Sequence, residues 1–370
     1  MSGECNDGRR VLQAVVDEAL SQNVGPSNLA KQFLGGGVET RRYAIGRNSE
    51  TLHIHNRVKL NGIIDDFYDE SADWEGIPVT STAHVPSNAL IANCSTSISP
   101  VSVMQHLTRS GLTNVVGFHE LAMASNGVLQ WPWFVQAQRK EMAEHIGEWG
   151  KIFDSLRDEI SRQTLVDVIR FRLSADPKYM TNYRVRLSEQ YFEDFMDFNN
   201  EVFVDAGGFD GDTSQLFADR YPDFKKIIFF EPSKQNMLAA RHRLAQYKNI
   251  DYRLLGLSNS SGILQFNHCA GSASSITDSG SDTIKADTLD ATVIEPVSFI
   301  KMDLEGWEIK ALEGARNHIK MDRPKLAIAV YHDAADFRLV HQFVTGLGQG
   351  YNVFLRHYTQ GWSETIMYFC

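Results

Sequence analysis

Apolar residues along this chain recur in two rhythms, and the changes between them divide it into regions. From about Arg42 to Met123, short apolar runs alternate with polar connectors. Segments 43–46, 60–64, 89–92 and 114–117 read as strands, with a helix over 49–56 after the first. Strands alternating with helices predict a small parallel α/β sheet. Between Trp131 and Phe171 the period becomes helical, with Met142, Ile146, Trp149, Ile152 and Phe153 spaced among charged residues. A looser aromatic stretch with Tyr179, Tyr183, Tyr191 and Phe192 follows.

From Glu201 the alternation is regular. Strands are expected at 202–205, 227–230, 252–255, 299–302 and 326–331, with helices over 212–221, 233–247, 308–319 and 334–345. Segments 352–356 and 365–369 are strands joined by a short loop without a helix. That hairpin predicts a last strand antiparallel to a mostly parallel, seven-stranded sheet. The expected organisation is a small Rossmann-like α/β domain over 1–125, a helical connector over 126–195, and a larger α/β domain over 196–370.

Composition narrows the function. The 370 residues are 43% hydrophobic and 22% charged, as expected for a globular chain with a buried core. The net charge of −10 argues against nucleic acid as a partner, because phosphate binding requires basic surface. Cys5, Cys94, Cys269 and Cys370 form no close pair, which speaks against both a zinc site and a disulfide framework. No apolar run reaches the length of a membrane span, and the first residues lack a signal-peptide pattern. A cytoplasmic protein is expected, with homo-oligomerisation left open.

The chemistry concentrates at three strand ends. In Asp205-Ala206-Gly207-Gly208-Phe209-Asp210-Gly211-Asp212-Thr213 an apolar strand ends in a carboxylate, passes through glycines and enters a helix. Glycines let a ligand approach the backbone, and helix-start amides can hold an anion. Asp205 is then placed to accept from a ligand amino group. The dinucleotide pattern G-x-G-x-x-G fails, since Ala206 stands at its first position. A tight turn built only for packing is the alternative. About 20 residues past Gly211, a second strand ends in Glu231-Pro232-Ser233. Glu231 suits two ribose hydroxyls, and Ser233 can cap the next helix in its place. A third strand ends in Asp303-Leu304-Glu305-Gly306. These carboxylates can orient a cationic donor, hold a hydroxyl, accept its proton or ligate a divalent metal. His332 follows the fifth strand and can take a hydroxyl proton, or be structural.

These motifs, together with Tyr331-His332, Asp336, Leu355-Arg356-His357-Tyr358 and Glu364-Thr365, resemble the FkbM-type methyltransferase family over about Gln190 to Cys370. The resemblance implies a class I methyltransferase, Rossmann-like fold and methylation of hydroxyl oxygens, often on sugars or secondary metabolites. It implies S-adenosylmethionine as donor, with Asp205, Gly207, Gly211, Glu231 and Asp303 lining its site. Ala206, Gly208, Asp212, Pro232, Ser233 and Ser275 complete the expected cofactor-binding set. Asp303, Glu305 and His332 are the candidate catalytic residues, and the expected partner is a small-molecule or glycan hydroxyl acceptor. Gly208 and Leu304 stand where the family often has Ala and Val. His357 falls in an expected C-terminal strand, which favours a structural role, while Ser274-Ser275 resembles a family segment near the cofactor or is a flexible Ser/Gly stretch.

The N-terminal region resembles small nucleotide-binding-like domains through Asn61-Gly62-Ile63-Ile64-Asp65-Asp66 and Gly76-Ile77-Pro78-Val79, which puts Asp65 or Asp66 at a ribose position. The turn Gly46-Arg47-Asn48-Ser49 lacks the glycine fingerprint, so a degenerate domain used for packing, dimerisation or docking stands beside that reading. Three rivals follow: a metal-assisted transferase with Asp303 and Glu305 as ligands, a dinucleotide-dependent oxidoreductase or epimerase, and a non-catalytic binding or assembly protein. The sequence alone assigns no metal.

Overall fold

The computed structural model describes residues 7–21, 25, 27–37, 39–68, 73–267, 275–276 and 282–370. Contacts gather the chain into two compact units. The first comprises Met1–Lys151, Gln163–Val185 and Tyr358–Ser363. The second comprises Ile152–Arg162, Arg186–His357 and Glu364–Cys370.

The first unit begins with helices α1 (Asp7–Leu20) and α2 (Asn28–Gly35), for which the hydrophobic rhythm gave no expectation. Its sheet contains β1 (Arg42–Ile45), β2 (Gly62–Ile64), β3 (Asp73–Trp74), β4 (Ile77–Thr80), β5 (Leu90–Asn93) and β6 (Val115–Gly117), in the order β3-β4-β2-β1-β5-β6. All pairings are parallel except β3 with β4. Helix α3 (Ser49–Arg57) follows β1 and is capped by Asn48, whose side chain accepts from Thr51 N. Helices α4 (Pro100–Arg109) and α5 (Phe118–Ala124) follow β5 and β6. Ala44, Ile63, Ala92 and Val116 pack with Phe33 and Phe118 in one core cluster, while Ile64, Ile91, Leu107 and Leu112 form another. The expected helical stretch is α6 (Trp133–Ser155) and α7 (Glu159–Ser174), with non-helical backbone inside α6 at His145.

The second unit is built on the expected seven-stranded sheet. Its strands are β7 (Val202–Ala206), β8 (Lys226–Phe230), β9 (Ile250–Arg253), β14 (Phe299–Met302), β15 (Lys325–Ala329), β16 (Val353–His357) and β17 (Thr365–Phe369), ordered β16-β17-β15-β14-β7-β8-β9. Strand β17 pairs antiparallel with both β15 and β16, as the helix-less hairpin predicts. A separate small sheet of β10 (Gly256–Leu257), β11 (Gly262–Asn267), β12 (Ser275–Ile276) and β13 (Asp282–Asp287) lies between β9 and β14 in sequence. Helices α8 (Asp212–Arg220), α9 (Lys234–Arg243) and α10 (Leu289–Thr292) come next in this unit. The single helix expected over 308–319 is two, α11 (Glu308–Gly314) and α12 (Arg316–Met321), with Ala315 between them off helical geometry. Gly314 explains the tight local packing, because a Cβ there would lie 2.0 Å from Ser258 O. Helix α13 (Asp336–Gly346) completes the set.

Every residue of β7 is buried, as befits a central parallel strand covered on both faces. Phe203, Phe299 and Phe217 join β7, β14 and α8 through ring contacts of 4.6 to 6.1 Å. No helix among the described residues is long and apolar enough to cross a membrane.

One buried histidine ties this core to pH. His341 on α13 is 7% exposed, and its Nε2 lies 2.8 Å from Ser155 Oγ. Burial pushes its pKa down from 6.5 to about 4. The unfolded chain therefore takes up this proton before the folded chain does. The stabilisation is complete above pH 6.5 and is lost as pH falls towards 4. Between pH 7 and 5, wild type should lose about 2 kcal/mol more than His341→Gln, because each tenfold difference in proton affinity is worth about 1.4 kcal/mol. Urea unfolding of both proteins at the two pH values measures the difference. Equal losses would remove His341 as the source.

Candidate active site

The site grows from the ends of β7, β8 and β14. After Ala206 the chain turns at Gly207, with φ +73°, where a Cβ would sit 2.1 Å from Asp303 O. Only glycine permits both that conformation and that approach of two strand ends. Gly211, with φ +87°, is the N-cap of α8. The amides of Gly207 and Gly208 both donate to Phe230 O at 3.0 Å, which fixes the turn to β8.

Two adjoining cavities open over this turn and share Gly207, Phe209, Asp303 and Glu305. The smaller, of about 70 Å³, is an apolar slot between Phe230, Pro232, Leu255, Leu257 and Trp307 with Glu231 on its wall. The larger, of about 540 Å³, is bounded by Tyr191, Phe192, Lys301 and Tyr331 and carries the carboxylates of Asp212, Asp219 and Glu364.

The structure divides the predicted cofactor residues. Gly207, Asp212, Glu231, Pro232 and Asp303 stand on cavity walls. Ala206, Gly208, Gly211 and Ser233 lie behind them and serve the turn and the start of α9. Ser275 belongs to β12 by its backbone, and its side chain and Ser274 fall outside the described residues. Asp205 does not reach the wall. It is fully buried, accepts from Ser214 Oγ at 2.6 Å and lies 3.1 Å from Lys301 Nζ. A ligand amino group therefore has no path to it. The anion cradle expected at the start of α8 is also occupied: Asp212 N donates to Asp210 Oδ1 and Thr213 N to Asp212 Oδ1.

Glu231 is less free than the sequence suggested. Ser233 does cap α9, yet Glu231 also accepts from Phe209 N at 3.0 Å, Ser233 N at 2.8 Å and Asn236 Nδ2 at 3.4 Å. That leaves about one of the roughly four acceptor positions of a carboxylate. Burial raises its pKa, against the three donors that lower it.

Lys301, Tyr191, Tyr331 and Glu364 complete the site. Lys301 pairs with Asp205 across β14 and β7 and donates to Gly207 O at 2.8 Å. Burial lowers its pKa, but Asp205 and Asp303 outweigh that and raise it, so the ammonium stays charged. Its sequence signal was one cation inside an apolar strand. Tyr191 donates to Asp303 Oδ2 at 2.7 Å, and Tyr331 lies 3.4 Å from both oxygens of the same carboxylate. Glu364 accepts from Gln190 Nε2 at 2.8 Å, and burial with the charge of Asp303 pushes its pKa up to about 7.

Of the three predicted catalytic residues, Asp303 and Glu305 line both cavities. His332 stands behind them, with its side chain 9% exposed, its Nε2 3.5 Å from Asp303 and 3.4 Å from Glu305. Burial disfavours its charged form, but Glu308, Glu305 and Asp303 outweigh that and hold its pKa well above the usual range. An imidazolium in that position cannot accept a substrate proton. His357 meets Thr365 Oγ1 at 2.8 Å within the hairpin and has a structural place.

Among the described residues, the switch point of the first unit is filled by the unit's own chain. Its sheet order reverses between β1 and β5, where open parallel sheets take ligands. Residues 360–363 lie there instead: Gln360 N donates to Ile98 O, Trp362 N to Thr96 O, and Ser102 N at the start of α4 donates to Gln360 Oε1. Asp65 pairs with Arg47 at 3.1 Å, and Asp66 accepts from both Thr82 N and Thr82 Oγ1. These contacts argue against the dinucleotide-enzyme alternative.

Residues 205–353 match the family described as the methyltransferase FkbM domain. The crystal structure of methyltransferase FkbM from Methylobacillus flagellatus has a TM-score of 0.75 and 22% identity, covering 99% of this chain and 100% of that one. An rRNA methylase from Streptococcus thermophilus (19% identity, TM-score 0.31) covers 46% of this chain and 86% of its own. Fibrillarin from Aeropyrum pernix with bound S-adenosyl-L-methionine (11% identity, TM-score 0.32) covers 50% and 71%. No curated protein matches the chain.

Gly208 gives this site a direct test. A Cβ there would lie 2.1 Å from the buried Phe229 ring, so the position is closed to any side chain. Gly208→Ala should destabilise the protein by about 1–3 kcal/mol through overpacking. The double variant with Phe229→Leu should recover part of that loss. Denaturant midpoints of the set measure the coupling, and an unchanged Gly208→Ala midpoint would contradict it.

Proposed function

We propose, on the premise that residues 205–353 form an FkbM methyltransferase domain, that the protein moves a methyl group from S-adenosylmethionine to a hydroxyl oxygen of a polyhydroxylated acceptor, such as a sugar, a glycan or a secondary metabolite. The observation that carries this reading is the placement of Asp303 and Glu305 at the junction of two unlike cavities. The narrow slot has apolar walls for an adenine ring and one carboxylate, Glu231, for a ribose hydroxyl. The wide cavity takes the methionine end of the donor and the acceptor.

Charge points to the acceptor class. Asp212, Asp219, Asp303, Glu305 and Glu364 face the wide cavity, against one ammonium, Lys301, which Asp205 already neutralises. Such a field favours the sulfonium donor and disfavours phosphorylated or carboxylated acceptors. Tyrosine faces beside carboxylates suit a neutral polyol.

In the reaction the acceptor oxygen attacks the methyl carbon in line. Sulfur leaves with the bonding pair as a neutral thioether, and the hydroxyl proton passes to a carboxylate. Glu364 suits that last role best among the wall acids. Asp303 already accepts from Tyr191 Oη and lies beside Tyr331 Oη, and Glu305 lies against His332. Glu364, at about 7, is matched to neutral pH. Most of the acceleration comes from alignment of donor and acceptor.

Calorimetric titration with S-adenosylmethionine should show saturable binding that weakens about tenfold or more in Glu231→Gln, at about 1.4 kcal/mol for each factor of ten. Absence of binding by folded, cofactor-free protein would falsify the donor assignment. Glu364→Gln should slow transfer of labelled methyl to a neutral polyol acceptor by about 10²–10⁴-fold. Its donor affinity should stay within about twofold. An unchanged rate would remove Glu364 from proton transfer.

A further inference from the structure

We propose that Asp303, Glu305 and His332 bind one divalent first-row transition-metal cation at the junction of the two cavities, and that this cation holds the acceptor oxygen. The metal site stands on its own geometry. The clause about the acceptor rests on the methyl-transfer reading.

The geometry turns on one nitrogen. His332 Nε2 lies 3.5 Å from Asp303 Oδ1 and 3.4 Å from Glu305 Oε2, and neither approach is aligned as a hydrogen bond. A hydrogen bond of this type would close to about 2.7–3.2 Å, and one ring N–H serves one carboxylate well. A cation serves all three groups at once, taking the place of the proton that the same acids otherwise hold on the ring, which leaves to solvent as the metal binds. Bonds of about 2.0–2.2 Å at tetrahedral or octahedral angles separate the ligand atoms by about 3.0–3.5 Å. Both spacings from Nε2 match that range, and the three ligand atoms all lie within 4.8 Å of one another.

The other face of the ring supports the same conclusion. His332 Nδ1 lies 3.3 Å from Glu308 Oε1, and Glu308 is fully buried. Leu304 N donates to that oxygen at 2.6 Å and holds it in place. Glu308 Oε2 has no hydrogen-bond partner among the described residues. A buried carboxylate behind a histidine is the usual device for orienting an imidazole towards a metal. With Asp336 also buried beside this group, four carboxylates surround one imidazole. Glu308 and Asp336 are buried while Asp303 and Glu305 are part-exposed, and this gathering of acids around one ring favours a bound cation.

The backbone is shaped to the same end. Glu305 adopts φ +53°, unfavourable for a residue with a Cβ, and Gly306 follows at +92°. This left-handed pair turns the Glu305 carboxylate back beside His332. Strain of that kind persists where the surroundings enforce it.

One nitrogen and two carboxylate oxygens suit manganese, iron(II), cobalt or zinc better than calcium or magnesium. Asp303 and Glu305 also form the cavity wall, so the remaining coordination positions face the acceptor space. A hydroxyl bound there becomes more acidic, and its proton leaves to Glu364.

The test uses the full chain, stripped with EDTA and titrated with manganese(II) by electron paramagnetic resonance and with zinc(II) by calorimetry. About one equivalent per chain is expected. Glu308→Gln should weaken binding about 10–100-fold by loosening the imidazole. His332→Asn should abolish it. Glu305→Gln, at a part-exposed position, replaces His332→Asn if the latter fails to fold by circular dichroism. S-adenosylmethionine is titrated into the same samples. Donor binding without stoichiometric metal would overturn the metal site and leave the transferase reading standing. Metal binding that persists unchanged in all three variants would place the ion elsewhere and likewise overturn it. Metal binding without donor binding would support the site and defeat the acceptor role.

Discussion

The Lys301 ammonium, 3% exposed between two strand ends, is the interaction on which the rest of the site depends. It meets Asp205 on β7 at 3.1 Å and Gly207 O at 2.8 Å, with the Tyr191 ring centroid 5.4 Å away. Taking an ion pair out of water is expensive, and removing one partner of such a pair costs about 3–5 kcal/mol. The pair therefore locks the first glycine of the turn against β14. With that turn fixed, Phe209 N reaches Glu231 and Asp303 sits under Tyr191. Asp205 shapes the site without entering it, because its charge is spent on the lysine that does.

Backbone strain also occurs around the same space. Tyr191, Phe209, Glu305 and Glu364 all have positive φ, although each carries a Cβ. All four line the wide cavity. Left-handed residues of this kind cost free energy and survive where packing over-determines them. Here each one turns a polar or aromatic group inward from a loop that could not otherwise present it.

Much of the larger sheet could be read from the chain. Strands that are buried on both faces leave unbroken apolar runs, and Val202–Ala206 and Phe299–Met302 are such runs with acids at their ends. The hairpin was legible because two strands without an intervening helix must pair antiparallel. The small sheet from Gly256 to Asp287 was not, since its short strands carry no period long enough to detect. Within the site, carboxylates at strand ends were visible, but their partners were not. Gln190 meets Glu364, and Tyr191 meets Asp303, across 174 and 112 residues of sequence. Lys301 stands in the sequence as a cation in an apolar strand, yet its role needs the register that sets it opposite Asp205. His332 was found from its place after β15, and only the fold shows that two acids stand between it and the cavity.

The segment joining β16 to β17 has a consequence for the chain as a polymer. Hairpin tips are ordinarily where a protein can be nicked, spliced or re-ended at small cost. This tip is different, because Thr359, Gln360 and Ser363 are buried within the first unit and Gly361 has no room for a Cβ beside Ser97 O. New termini opened there would strip the start of α4 of the amide side chain that caps it. Each unit is assembled from separate stretches of the chain, and neither can be excised as a continuous piece of sequence.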